Sequence, residues 1–117
     1  MAGTPGTPGF SDGKSALFDQ PRGICSLPDG RIVVSDFNNH RLRLVNPDGE
    51  VSTLAGSGAP GTTDGCATRG ALLFHPVGVA VDPGGKWLAF SDYGSHLIRK
   101  LCLETDIVST VAGFRAG

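Results

Sequence analysis

One sequence pattern occurs twice in this chain of 117 residues and fills nearly all of it. The pattern begins with a Phe and a Pro-x-Gly, followed by a turn and a β-rich run that ends in Ser-Asp. A His with an Arg three residues later comes next, and Val-Ser-Thr-x-Ala-Gly ends the pattern. The landmarks are Phe18, Pro28, Asp36, His40 and Val51 in the first copy, and Phe74, Pro83, Asp92, His96 and Val108 in the second. Internal repetition is typical of proteins that stack equivalent units. We therefore predict one unit over residues 2–54 and another over 55–113, with 114–117 the start of a further repeat or a tail.

Each copy contains four runs with the composition of β-strands. The predicted strands are Arg22–Leu27, Arg31–Asp36, His40–Val45 and Glu50–Leu54, then Val77–Asp82, Lys86–Asp92, His96–Leu103 and Asp106–Val111. Asp-Gly pairs between apolar runs favour hairpins, because the turn requires positive φ. Eighteen glycines and eight prolines fit many tight turns and exclude a helical bundle. The sequence predicts an all-β fold of two four-stranded antiparallel sheets.

The burial pattern indicates how the sheets pack. Ile32–Val34, Val79–Val81 and Leu88–Phe90 are continuously apolar, so we expect both faces of these strands to be covered. On the third strand Leu42 and Leu44 alternate with Arg41 and Arg43, which predicts a position nearer to solvent. Sheets buried inside and wetter outside are typical of radially arranged blades. We therefore expect two blades of a β-propeller.

The ordered pattern resembles the NHL repeat over essentially residues 2–113. The first copy keeps Asn39-His40-Arg41, whereas the second has Ser95-His96-Leu97 and replaces the second Pro-Asp-Gly turn with Glu104-Thr105-Asp106. The resemblance implies closed propellers, commonly of six blades. Two blades alone would leave two apolar faces exposed. We therefore expect either further blades of a longer chain or self-association, with three copies forming a six-bladed ring.

Composition limits the classes of function. Ten Lys and Arg balance eleven Asp and Glu, so the formal net charge of −1 lacks the basic excess typical of nucleic-acid binding. No apolar run spans a bilayer and no signal peptide is evident, which favours a cytoplasmic protein with no membrane contact. Cys25, Cys66 and Cys102 are an odd number without C-x-x-C, so neither a disulfide framework nor a zinc site is expected, and their roles stay open.

Several residues recur once per copy and are predicted to maintain the fold. They are Asp36, His40 and Arg43, and their counterparts Asp92, His96 and Arg99. Carboxylates in such turns accept backbone N–H bonds and pair with nearby cations, whereas a catalytic residue is usually needed once. Arg41, Arg43 and Arg99 are interpreted as a solvated face with inter-blade ion pairs, the alternative being an RNA-contacting surface. The G-x-G-x-x-G match at 56–61 lacks a following helix and is interpreted as an inter-blade loop.

The candidate binding residues lie next to the innermost strands and in two equivalent loops. They are Arg22, Phe37, Asn38, Asn39, His75 and Tyr93. We expect them at the mouth of the central channel, because loops on a rigid scaffold are where binding residues concentrate. The alternative is that Phe37 and Tyr93 cover the blade junction and that His75 satisfies a backbone carbonyl.

The leading prediction for function is a non-catalytic scaffold for protein partners, with no catalytic residue, cofactor or metal of its own. The resemblance also implies an alternative, because related six-bladed propellers include calcium-dependent lactonases and a metal-dependent amidating lyase. Calcium-dependent turnover by an assembled ring would distinguish that alternative. A third hypothesis is binding of single-stranded RNA, which predicts salt-sensitive retention on RNA.

Overall fold

The computed structural model describes residues 18–113, which form two antiparallel β-sheets. Blade 1 has the strand order β1-β2-β3-β4, and blade 2 has the order β5-β9-β8-β7-β6. The bounds are β1 Pro21–Ser26, β2 Ile32–Asp36, β3 Arg41–Val45, β4 Val51–Ala55, β5 Gly65–Cys66, β6 Pro76–Val81, β7 Trp87–Asp92, β8 Leu97–Cys102 and β9 Ile107–Gly113. The predicted all-β architecture of two meandering sheets is confirmed.

Tight turns join the strands of blade 1 as the Asp-Gly pairs predict. Gly30 and Gly49 have φ of +94° and +89°, which a residue with a Cβ adopts only under strain. Asp29 supports the first turn by accepting the backbone N–H of Arg31 at its Oδ1. The turns therefore fix the register in which β1 pairs with β2 and β3 with β4.

Blade 2 contains a strand that the sequence analysis missed. The short β5 pairs with the outer edge of β9, where Gly65 lies opposite Val108 and Cys66 opposite Ile107. Cys66, whose role the sequence leaves open, is thereby part of a strand. The related Asp12-Gly13 of the first copy falls outside the described residues.

Hydrogen bonds correct the alignment of the two copies by one residue. The backbone N–H of Asp19 donates to Asp36, and that of Phe74 donates in the same way to Asp92. Asp19 and Phe74 are therefore the equivalent residues, and the expected correspondence between Phe18 and Phe74 is wrong. The first copy has two residues between Phe and Pro, whereas the second has one. When the prolines are aligned, the two phenylalanines therefore cannot occupy the same position.

The blades pack face to face through an apolar core. Alternate residues of blade 1, including Val33 and Leu42, meet Leu88, Phe90 and Leu101 of blade 2, and all five are at most 1% exposed. Leu73 and Ala67, from the segment between the blades, complete this layer. Removing apolar surface from water stabilises the fold by about 25 cal/mol per Å². Burial of this shared layer is therefore the main contribution to the free energy that holds the two sheets together.

Within residues 18–113 each blade also has an uncovered face, as expected for two blades without further blades beside them. In blade 1 the side chain of Ile24 is 69% exposed and Val34 is half-buried, and in blade 2 Ile98 is 45% exposed. The continuous apolar runs do form strands, but within residues 18–113 no further sheet covers their outer faces. Within residues 18–113 no helix is long and apolar enough to cross a bilayer.

Candidate functional site: the loop face

One end of the two sheets gathers most of the predicted binding residues. Pro21 at the start of β1 pairs with Asp36 at the end of β2, and Pro76 pairs with Asp92 in blade 2. The starts of the inner strands and the loops that follow β2 and β7 therefore lie at the same end. We call this end, with the loops 37–40 and 93–96, the loop face.

Four residues of the loop face form a stacked group, which we call the aromatic cluster. Phe37 stacks on the imidazole of His75, with ring centroids 4.2 Å apart and planes 19° apart. The guanidinium of Arg22 lies 4.3 Å from the centroid of Phe37, and the ring of Tyr93 lies 6.2 Å from it. Tyr93 is 62% exposed and Arg22 is also exposed. The cluster thus combines residues of both blades and presents an aromatic ring and a cation to solvent.

Asn38 and Asn39 face the protein and are not part of the exposed cluster. The amide of Asn39 donates to Asp36 Oδ2 at 2.8 Å, and the amide of Asn38 donates to Asp19 Oδ1 at 3.3 Å. The backbone N–H of Asn38 also donates to the carbonyl of Asp19. Both side chains therefore hold the loop that carries Phe37.

A buried ion pair supports the loop in blade 1. Arg43 Nη1 lies 2.7 Å from Asp36 Oδ2, and both side chains are fully buried. The ring of Phe18 covers the guanidinium, 4.7 Å away. The prediction that Arg43 lies on a solvated face is wrong. Alternation does place the side chain of Arg43 on the face of the sheet opposite to that of Leu42. Asp36 and Phe18 occupy that face and bury it.

Arg99 makes the corresponding pair in blade 2 and also fastens the preceding segment. It contacts Asp92 Oδ2 and Asp64 Oδ1, both at 3.0 Å, and donates to the carbonyls of Thr63 and Leu72. Its side chain is fully buried, so its predicted solvent exposure is wrong as well. Neither Arg43 nor Arg99 is therefore available to the RNA-contacting surface considered above.

The two carboxylates around Arg99 differ in pKa. Burial raises the pKa of Asp92 and outweighs the opposing hydrogen bonds from Phe74 and Arg99. Burial acts in the same direction on Asp64, but hydrogen bonds from Arg99 and Thr110 outweigh it and lower the pKa of Asp64. Asp64 is a supporting residue that sequence reasoning missed, although its recurrence within the Asp-Gly pair was the available signal.

Two histidines join the blades at the loop face. His40 Nδ1 accepts the backbone N–H of His75 at 3.1 Å, and His75 Nδ1 lies 3.0 Å from the carbonyl oxygen of Phe37. A carbonyl only accepts, so His75 donates from Nδ1, whereas His40 must be unprotonated at Nδ1. Burial, and next the neighbouring His75, lower the pKa of His40 and favour that neutral form.

The other candidate sites are a metal centre, the glycine-rich segment 56–61 and the three cysteines. Within residues 18–113 no group of three or more His, Cys, Asp and Glu side chains is placed to share a metal ion. The segment 56–61 begins and ends with inter-segment bonds, from Gly56 N–H to Ala67 and from Gly61 N–H to Leu73, without opening a helix. The three cysteines are free thiols.

This arrangement defines the class of protein: the described residues form two adjacent blades of a β-propeller. The model of the NHL repeat family matches residues 18–43. The chain is 37% identical over 99 residues to the chloroplastic protein Suppressor of Quenching 1 of Arabidopsis thaliana, covering 82% of this chain. It is also 37% identical over 83 residues, 71% of the chain, to NHL repeat-containing protein 2 of Bos taurus. The chain belongs to the NHL-repeat family.

A solved structure supports the fold independently. An auxiliary nutrient binding protein from Bacteroides thetaiotaomicron superimposes with a TM-score of 0.77 at 25% sequence identity and covers 93% of this chain. The chain spans 28% of that protein, and 9% and 11% of the two curated relatives. It therefore corresponds to a small part of each of these proteins.

Proposed function

We propose that this chain is a non-catalytic interaction module that binds a protein partner through its loop face. The observation that carries the proposal is the aromatic cluster, in which Phe37 holds Arg22 on one side and His75 on the other while Tyr93 stays 62% exposed. Arg and Tyr are among the residues that dominate binding energy at protein interfaces. The cluster supplies both at the surface.

The support beneath the cluster favours binding without large rearrangement. Asn38 and Asn39 hold the loop of blade 1 from below, and Arg43 pairs with Asp36 beneath it. A side chain held in one position loses little conformational entropy when a partner binds. The similarity to a nutrient binding protein is consistent with binding as the role of such blades.

Site-specific photocrosslinking in cells of the source organism tests the proposal. A benzophenone amino acid placed at Tyr93 should yield a discrete protein adduct, and the same residue placed at Ile107, exposed at the opposite end, should not. Arg22→Ala should reduce the Tyr93 adduct severalfold by removing the cation above Phe37. The matched control Arg31→Ala removes an exposed arginine at the other end and should leave the adduct unchanged.

Three results would contradict the proposal. They are equal adducts from both ends, an adduct from Tyr93 that Arg22→Ala does not alter, and an adduct that ribonuclease rather than protease removes. The last result would instead establish RNA as the ligand.

A further inference from the structure

The junction between the blades contains a binding site for a backbone carbonyl. Ser35 Oγ accepts the N–H of Gly23 and donates to the carbonyl oxygen of Val77, both at 2.6 Å. A Cβ on Gly23 would lie 1.9 Å from that carbonyl oxygen. Only glycine therefore allows the inner strand of blade 2 to approach, and the serine fixes its position. We call Gly23 and Ser35 the first carbonyl-binding site.

Blade 2 repeats this site on its uncovered face. Ser91 Oγ accepts the N–H of Gly78 at 2.8 Å, as Ser35 does from Gly23. Among residues 18–113 no acceptor for the Ser91 hydroxyl is present. A Cβ on Gly78 would meet only Ser91 Oγ, at 3.3 Å, and Gly78 does not have positive φ. Nothing within the described chain requires glycine there, so Gly78 and Ser91 form a second carbonyl-binding site without its carbonyl.

The uncovered face of blade 1 carries the complementary surface. By the corrected repeat alignment Arg22 is the counterpart of Val77, whose carbonyl occupies the first site. A groove of about 360 Å³ on this face is lined by Ile24, Ile32, Val34 and Val45. Their counterparts in blade 2 are Val79, Leu88, Phe90 and Leu101, all of which pack in the inter-blade core. The chain thus carries both halves of its own internal junction on opposite faces.

We propose that the uncovered face of blade 2 binds a second copy of this chain, whose blade 1 docks so that the carbonyl of Arg22 enters the Gly78–Ser91 site. Ile24 of the second copy then packs against Ala80 and Ile98, in the way that Val79 packs in the existing junction. The two faces differ, so the contact is heterologous, and successive copies close into a ring when the rotation allows it.

A second copy is the occupant favoured by continuity with the existing junction. Docking repeats an interface that already forms between the blades, with apolar residues meeting apolar residues and a serine meeting a carbonyl. The formal net charge of −1 imposes little repulsion between copies. The inference does not rest on the proposed function, although Arg22, which supplies the docking carbonyl and lines the groove, also belongs to the aromatic cluster.

The first experiment compares two glycine variants by light scattering over a concentration series. The chain has a mass of 12.0 kDa and should associate to defined multiples, with a ring of three near 36 kDa. Gly78→Ala should weaken association about tenfold or more, because the new methyl group meets the incoming carbonyl. Gly84→Ala is the matched control, since its Cβ would also have its nearest contact at 3.3 Å but lies in a turn. Circular dichroism verifies that both variants fold.

A mixing experiment tests the head-to-tail geometry. Ile24→Glu places a charge on the uncovered face of blade 1, at a residue that is already 69% exposed. The chain should therefore fold, but this face should no longer dock on blade 2 of another copy. At a concentration where the parent chain associates but neither variant does so alone, a mixture of Gly78→Ala and Ile24→Glu should form a 1:1 dimer, since one intact pair of faces remains. A monomeric parent chain, association unaffected by Gly78→Ala, or variants that fail to complement would each overturn the proposal.

Discussion

The imidazole of His40 accepts the backbone N–H of His75 across the junction of the two blades, 3.1 Å from N to Nδ1. His40 has φ of +51° and is placed by the turn that follows Phe37, so a local loop conformation sets an inter-blade contact. This bond holds only while Nδ1 carries no proton. The charge state of one side chain is thereby connected to the packing of the sheets.

We expect the folded chain to lose stability as the pH falls below 6.5. The pKa of His40 is lowered from 6.5 in the folded state, so the unfolded state binds the proton more readily. Stability is then full above the unfolded pKa and declines below it. Urea unfolding of the dilute monomer at a series of pH values between about 5 and 8, where histidine titrates, measures the free energy of unfolding.

Two variants make the pH experiment specific. His40→Asn keeps a side chain that tolerates positive φ and can accept a hydrogen bond, but it does not titrate. This variant should flatten the pH dependence, and His96→Asn, in the equivalent loop of blade 2, should retain it. An unchanged slope in His40→Asn would show that another group is responsible.

Removing the charge of Arg99 should strongly destabilise blade 2. Arg99→Met leaves Asp92 buried without its cation and releases Asp64 and two backbone carbonyls. Breaking a buried pair on one side costs about 3–5 kcal/mol. Chemical denaturation should show a loss of this size, with partial recovery in the double variant Arg99→Met/Asp92→Asn. The exposed Arg31→Met serves as the control, and a loss no larger than this control's would contradict the assignment.

The same substitution should have different effects in the two copies. Gly23→Ala forces a methyl group against the fixed carbonyl of Val77 and should cost about 1–3 kcal/mol. Gly78→Ala meets only the hydroxyl of Ser91 and should change the stability of the dilute monomer by less than about 1 kcal/mol. Thermal denaturation at low protein concentration compares them. Equal losses would mean that the carbonyl does not set the difference.

The thiols should react with iodoacetamide in a defined order. Burial raises the pKa of Cys25, whereas hydrogen bonds from Thr105 lower the pKa of Cys102. The thiolate is the reactive form, so Cys102 should be alkylated first at neutral pH. Time-resolved peptide mass spectrometry measures both rates, and Cys102→Ser supplies the reference. Faster labelling of Cys25 would contradict this order.

The repeat predicted most of the fold because it specified turns and strand periods locally. Gly30 and Gly49 could be assigned from Asp-Gly pairs alone, and all eight predicted strands have counterparts. The loop face was also predictable in part, because Arg22 and His75 lie beside the starts of equivalent strands. Their contacts with Phe37 required the packing of one blade on the other.

Long-range partners account for what could not be predicted. Arg43 alternates with leucines as an exposed residue would at a sheet rim, and its burial depends on the positions of Asp36 and Phe18. His40 could be recognised as recurrent, but its bond to His75 depends on the angle between the blades. Strand β5 has only two residues and carries no periodicity from which to predict it.

The pairing of β5 with β9 has a consequence for the order in which blade 2 folds. Strands β6 to β9 are joined through short connections, so their hairpins close small loops. Gly65 meets Val108 only after roughly 40 residues have been brought together, at a larger entropic cost. We therefore expect the four-stranded meander to form first and β5 to add last. Hydrogen exchange during refolding should protect the amides of β7 and β8 before the edge of β9 is sealed.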